Sequence, residues 1–411
     1  MSDRVKLVVL GGSALATPCL LQAMGAASAT LSYEIVLWGR DQERLRLVTE
    51  VARDVVSGYP TLDVNLRAST DLAHAVEGAD FCLNQMRVGG LQGRLFDETF
   101  PRDFGVPGEE TVGPGGFSNA RRGIPVVLDV CRTLERVAPD AVILNLMNPS
   151  SMIQLAIRKY TRMKVIGTCD SPVSLISLIA SALSLHREEL EFDVGGMHHF
   201  TWVVSARHAG QERLPQALLN PRLAEKLGID PDLLSCLGAV PSPYLRYYLH
   251  PDRILAKTAG KLPRAQELME LQETILAEFR ARPAGSVPAS LQRRGAVWYE
   301  AIVVPTLLAL AELRSCELIL SVDNAGTYPW LPPGAIIEAP VPIHEGVLQS
   351  PRRAELPIDV AGMVQSNCAY EMLAVEAIVE GDRGKALRAL MSNGMVSGYD
   401  QALGLLGAIW S

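Results

Sequence analysis

The stretch Val5-Lys6-Leu7-Val8-Val9-Leu10-Gly11-Gly12-Ser13 decides the fold. Residues 5–10 form a short apolar run with β-branched side chains, and the run stops at a glycine pair. A helical pattern begins at about Pro18. A buried strand, a glycine turn and a helix in that order open a nucleotide-binding βαβ unit. Working outward, 33–38, 80–86, 141–146 and 164–168 are apolar runs of strand length, with helical stretches such as 41–57 and 121–137 between them. Strands alternating with helices predict a parallel, doubly wound sheet, because each crossover helix covers one face of it. The expected class is α/β, with a Rossmann-like dinucleotide-binding domain over residues 1–170.

Residues 171–411 have a different texture. Helical periodicity dominates 171–185, 263–282, 297–315 and 367–410, and shorter strand-like runs lie at 190–195, 200–206 and 335–339. This pattern predicts a mostly helical α+β C-terminal domain carrying a small antiparallel sheet. The proline-rich pieces 283–290 and 328–334 read as loops.

Composition excludes several classes of partner. A net charge of −7 argues against nucleic acid and against an anionic membrane surface. No apolar run reaches the roughly 18 residues that a membrane-spanning helix needs. The N-terminus enters the first strand without a cleavable signal pattern. The seven cysteines are odd in number and have no paired spacing, which predicts reduced thiols and a cytoplasmic protein.

The dinucleotide fingerprint after a first strand is G-x-G-x-x-G, whose glycines let the backbone approach a pyrophosphate. Gly11 and Gly12 are present, Ser13 is able to donate to a phosphate, and the third glycine is not matched. The second strand should end in an acid for the adenosine ribose. It ends in Trp38-Gly39-Arg40-Asp41 instead. Arg40 suits a 2′-phosphate, which would favour NADP; alternatively it is a surface arginine opening a helix that Asp41 caps. NAD is placed ahead of NADP.

Four segments taken together resemble glycoside hydrolase family four. They are Arg87-Val88-Gly89-Gly90 continuing through Asp97-Glu98 to Gly108-Glu109-Glu110-Thr111-Val112-Gly113-Pro114-Gly115-Gly116; Asn148-Pro149-Ser150; Gly167-Thr168-Cys169-Asp170-Ser171-Pro172; and Gly196-Met197-His198-His199-Phe200-Thr201-Trp202. Pro243-Tyr244-Leu245-Arg246-Tyr247-Tyr248 and Arg293-Arg294-Gly295-Ala296-Val297-Trp298-Tyr299-Glu300 are similar to segments of that family's 6-phospho-β-glucosidase branch, and the resemblance runs nearly the whole chain.

The resemblance implies an oxidoreductive glycosidase, an exception to the usual pair of catalytic carboxylates. In that chemistry NAD takes a hydride from C3 of the sugar, a base removes the acidified C2 proton, the C1 substituent is eliminated, water adds and the hydride returns. It further implies Cys169 and His199 as ligands of a divalent metal, typically Mn²⁺, and Tyr244 as the C2 base. An aspartate at the position of Asp170 resembles the leaving-group acid of α-specific branches, whereas the Tyr244 and Arg294 segments look β-like, so both anomers stay open. Gly11, Gly12, Ser13, Arg40 and Asn148 are the candidate cofactor contacts. Arg87, Asn148, His198 and Arg294 are the candidate substrate contacts, the arginines suiting a 6-phosphate. Arg87 has a competing reading as an ion pair with Glu98 or Glu110. Two residues depart from the family pattern: His198 stands where Asn is usual, as an extra ligand, a proton shuttle or a hydrogen-bond donor, and Glu109 replaces Gln.

The expected function is cleavage of an O-glycoside, by default a 6-phospho-glucoside. Two rivals are a relative repurposed as an NAD(P)-dependent sugar or cyclitol dehydrogenase or epimerase, and an inactive sugar- or nucleotide-binding regulator. Residues 171–411 are assigned to substrate, metal and subunit contacts, with a homodimer or homotetramer expected by analogy with relatives.

Overall fold

The computed structural model describes residues 4–283, 285–289, 291 and 295–410. Six parallel strands come first: β1 (Arg4–Leu10), β2 (Ser32–Trp38), β3 (Val64–Ser69), β4 (Phe81–Asn84), β5 (Val142–Asn145) and β6 (Lys164–Gly167). They lie in the order β3-β2-β1-β4-β5-β6, the doubly wound arrangement of dinucleotide-binding folds. The expected Rossmann-like sheet is therefore present. β3 was not expected, for a physical reason: as an edge strand it alternates exposed and half-buried residues, so it lacks the continuous apolar run of the inner strands.

The second half of the chain supplies β7 (Leu190–Met197), β8 (Phe200–His208), β9 (Gln211–Glu212) and β10 (Val240–Pro241), an antiparallel sheet. It also supplies β11 (Cys316–Asp323), β12 (Ile336–His344) and β13 (Val347–Leu348). These three extend the parallel sheet antiparallel beyond β6, through the pairing of Ser321 with Gly167. The nine-stranded sheet is thus mixed and continuous across the two halves. β11 follows a helix that ends at Ala311, earlier than the expected 315.

The helix expected over 41–57 runs Gln42–Ser57, with the Asp41 carboxylate accepting from the Arg44 N–H at its N-terminus. The helix expected over 121–137 is longer, Gly113–Val137. Its first turn is small because it packs onto the preceding loop: a Cβ at Gly115 would fall 2.1 Å from the Glu109 carbonyl oxygen. The region expected as one helical stretch over 367–410 is three helices, Ile358–Glu380, Arg383–Ser392 and Tyr399–Ile409. Apolar side chains fill both faces of the large sheet, and two further clusters pack around the antiparallel sheet. Among the described residues no helix is long and apolar enough to cross a membrane. Arg294 lies outside the described residues.

Candidate active site

The site lies at the C-terminal ends of the parallel strands, where open α/β sheets bind ligands. Cys169 lies two residues beyond the end of β6. Opposite it, β7 and β8 form a hairpin in which Met197 pairs with Phe200, so its two-residue turn is His198-His199. His199 sits at φ +58°, a left-handed conformation that costs a non-glycine residue roughly 1 kcal/mol and concentrates at functional sites. The turn brings Cys169, His198 and His199 together, with one donor atom from each within 4.8 Å of the others.

All three side chains are buried. Burial holds both imidazoles neutral, His198 pushed down to about 3 and His199 well below its usual value by burial and by His198. Burial, and then Glu338 and Asp170, push the Cys169 thiol well up. Neutral imidazoles and a thiol ringed by carboxylates suit a divalent cation: it takes imidazole lone pairs directly and stabilises a thiolate. The donor set therefore fits a metal. The His198 and His199 rings are stacked, 3.8 Å between centroids and 23° between planes. Both rings bring a donor atom to the cluster, and they differ in what holds them. No hydrogen bond holds the His198 ring among the described residues.

The His199 Nδ1 lies 2.9 Å from the Thr111 hydroxyl, which in turn bonds the Glu109 carboxylate. Glu109 also accepts from the backbone N–H of Thr111 and, at 3.0 Å, of Val112. Its carboxyl is pushed up to about 7 by burial and by Glu110. On the other face of His199 the Tyr244 ring stacks at 3.6 Å, only 7° from parallel. The Tyr244 phenol is pushed well up by burial, then by Glu109, Cys169, Glu110 and Asp170. The Arg246 guanidinium lies over the neighbouring Tyr247 ring, 5.2 Å from its centre. Asp170 sits beside Cys169 at the head of the helix Ser171–Ala182, makes no cap to it, and is pushed up by burial.

The arginines are already engaged. Arg87 pairs with Glu110, as does Arg94 at 2.8 Å, and Arg94 also bonds Glu98 at 2.6 Å. The competing reading of Arg87 as an ion-pair partner holds for Glu110. Its side chain remains one-third exposed, on the open side of the pair.

At the nucleotide end, Gly11 and Gly12 both donate backbone N–H groups to the Trp38 carbonyl, at 3.1 and 2.7 Å. The glycine pair therefore pins the loop to the end of β2, and a Cβ at Gly12 would fall 2.8 Å from Leu37. Ser13 is left with its N–H and hydroxyl without a partner among the described residues. A Cβ at Gly39 would fall 3.0 Å from the Ser13 hydroxyl, so the place of the expected ribose acid has no room for a side chain without moving Ser13. Arg40 is exposed beside it and has no partner among the described residues. Asn148 is half-buried, and its carbonyl accepts from Asn119 at 3.2 Å.

Two residues near the metal cluster were not anticipated. Thr111 lay inside a quoted motif without a role. Glu338 is a charged residue inside the apolar run of β12, a signal in itself because an unpaired buried acid is costly. It accepts from Thr201 and Ser321, and burial pushes it up to about 7.

The chain is similar to known proteins over nearly its whole length. The family 4 glycosyl hydrolase profile matches residues 6–185, and the family 4 glycosyl hydrolase C-terminal domain matches residues 194–396. A probable 6-phospho-beta-glucosidase of Bacillus subtilis is 28% identical, with 96% of this chain and 93% of that protein aligned. A phospho-alpha-glucosidase of Clostridium acetobutylicum is 26% identical over 98% of this chain and 96% of its own. The 6-phospho-beta glucosidase of Thermotoga maritima, solved with manganese, NAD+ and glucose-6-phosphate, superposes with a TM-score of 0.88 at 26% identity, covering 98% of this chain and 97% of that one. The chain belongs to the family 4 glycosyl hydrolases.

Proposed function

We propose that this protein hydrolyses a 6-phospho-glucoside with NAD and a divalent metal, supplied as Mn²⁺ in assay, through oxidation at C3, proton removal at C2, elimination, water addition and re-reduction. The observation that carries the reading is the convergence of Cys169, His199, Tyr244 and Asp170 at the ends of the parallel strands. When bound, NAD supplies a hydride acceptor and the metal a Lewis acid for the sugar's C2 and C3 oxygens. Cys169 and His199 would hold the metal, and Gly11, Gly12, Ser13 and Asn148 would meet the cofactor.

The chain's own groups divide the proton work. Tyr244 stands over His199 and is the group for the C2 proton. Its phenol is pushed up by burial and then by four ionisable neighbours, and a cation beside Cys169 would act in the opposite sense and favour it as a base. Asp170, pushed up by burial, keeps a proton to higher pH than an exposed aspartate and suits delivery to the leaving oxygen. Arg87, on the open side of its pair with Glu110, is the arginine available to a phosphate. In this reading residues 1–170 carry the nucleotide together with Arg87, Cys169 and Asp170, and 171–411 supply the remaining substrate and metal contacts and the subunit contacts.

The test offers nitrophenyl 6-phospho-glucosides of both anomers with NAD and Mn²⁺. Nitrophenol release without net NADH supports the proposal. Accumulating NADH with an oxidised sugar supports a dehydrogenase instead, and binding without turnover supports a regulator.

A further inference from the structure

Resting on the reading of His199 as a metal ligand, we propose that Glu109 and Thr111 are positioning residues that fix the His199 tautomer and aim its Nε2 at the metal. The argument is one of proton counting. The Glu109 Oε2 atom takes two backbone N–H groups, those of Thr111 and Val112. An oxygen with two N–H donors on it is an acceptor, and any proton on this carboxyl sits on the other oxygen. The Thr111 hydroxyl therefore gives its one hydrogen to Glu109. Its oxygen is left to accept from His199 Nδ1 at 2.9 Å. His199 must then carry its hydrogen on Nδ1, and the Nε2 lone pair is free to bind a cation. A hydrogen bond on the far nitrogen is the general device by which proteins set the tautomer and direction of a metal-binding histidine.

The arrangement also answers a local problem. His199 lies on a two-residue turn in a left-handed conformation, a place where a side chain is poorly anchored by its own backbone. The stacked rings of Tyr244 and His198 restrain it from above and below, but stacking leaves rotation within the plane free. The Thr111 hydrogen bond removes that in-plane freedom. Glu109 in turn holds Thr111, and its loop is locked under the helix Gly113–Val137, where Gly115 packs against the Glu109 carbonyl.

The experiment measures Mn²⁺ binding to the full-length protein by the loss of the free-ion EPR signal. Thr111→Val, which keeps the shape and removes the hydroxyl, should weaken Mn²⁺ binding by about 10–100-fold, and Thr111→Ser should restore it. Glu109→Ala should weaken binding similarly, while Glu109→Gln, whose amide oxygen accepts the same three donors, should stay close to the native protein. With Co²⁺ in place of Mn²⁺, Thr111→Val should change the visible ligand-field bands at saturating metal, which a loss of general stability would not do. Native affinity and an unchanged Co²⁺ spectrum in both Thr111→Val and Glu109→Ala would overturn the proposal, with the metal site intact if Cys169→Ser and His199→Asn abolish binding. Native affinity in Cys169→Ser and His199→Asn as well would overturn the metal reading and this inference with it.

Discussion

At the hairpin end of the site His199 is held by a hydrogen bond at its edge and a ring on each face; nearby, Cys169 and Glu338 are buried, Asp170 is half-buried, and burial pushes all three up. At the glycine-loop end the groups that would meet a nucleotide are a backbone turn pinned to Trp38, the Ser13 N–H and hydroxyl, which have no partner among the described residues, and an exposed arginine. The difference separates two kinds of work. A group that must present a lone pair or a proton at one atom has to be fixed and desolvated, because its reactivity depends on both. A group that binds a large, many-contact cofactor can be loose, because the affinity is spread over many weak contacts. Substitutions should therefore be severe and chemical at the first end, and modest and graded at the second.

The largest effect should follow Cys169→Ser, which replaces a thiolate with a poorer ligand. It should lower kcat/KM by at least about 10³-fold, or ~4 kcal/mol of transition-state stabilisation, and Mn²⁺ binding should fall with it. Tyr244→Phe keeps the stacked ring and removes only the phenol. It should cost about 10²–10⁴-fold in kcat while Mn²⁺ and NAD binding stay near native in equilibrium titrations. If NAD affinity fell equally, the tyrosine would belong to the looser end and the comparison would fail.

Gly12→Ala probes the other end. The added methyl meets Leu37, so the loop must shift, and the expected cost is about 1–3 kcal/mol, read as a lower melting temperature together with weaker NAD binding. An unchanged protein would mean that the glycine pair does not pin the loop.

Protonation sharpens the comparison from a third side. Glu371 is buried, bonded to Asn367 at 3.1 Å and to Ser151, and pushed up to about 7 by burial. Its folded value lies above its unfolded one of 4.5, so the stabilising contribution is complete below about 4.5 and is lost as pH rises through about 7. Glu371→Gln cannot ionise. Its melting temperature should fall less than the native protein's between pH 5 and pH 8, by about 2 °C or more in differential scanning calorimetry of metal-free protein. Parallel curves would show that Glu371 is not held protonated.

The smallest effect should come from Arg40→Ala. Gly39 offers no acid, and Arg40 is exposed with no partner among the described residues, so the adenosine end leaves a cation for a 2′-phosphate. Arg40→Ala should leave NADH binding within about twofold and weaken NADPH binding about tenfold, measured by nucleotide fluorescence. Equal effects on the two nucleotides would remove Arg40 from the ribose site.

The inner strands were legible because burial on both faces writes continuous apolar runs such as VKLVVL and AVILNL. β3 and β11 were not: the first is a half-polar edge, and the second directly follows an apolar helix, so periodicity could not divide them. The clustering of Cys169 with His199 was legible only through the resemblance, since 29 intervening residues carry no periodic link between them. The tie from Glu109 through Thr111 to His199 was not legible at all, because it joins a loop before one helix to a hairpin turn far along the chain.

The claim that joins both ends is that the cofactor's oxidation at C3 serves proton removal at C2 by Tyr244. Turnover of a nitrophenyl 6-phospho-glucoside in D₂O tests it most directly, with the released sugar phosphate examined by NMR. Deuterium at C2 of the product, and its disappearance together with turnover in Tyr244→Phe, is the predicted result. Full turnover with the original hydrogen retained at C2 would contradict the account.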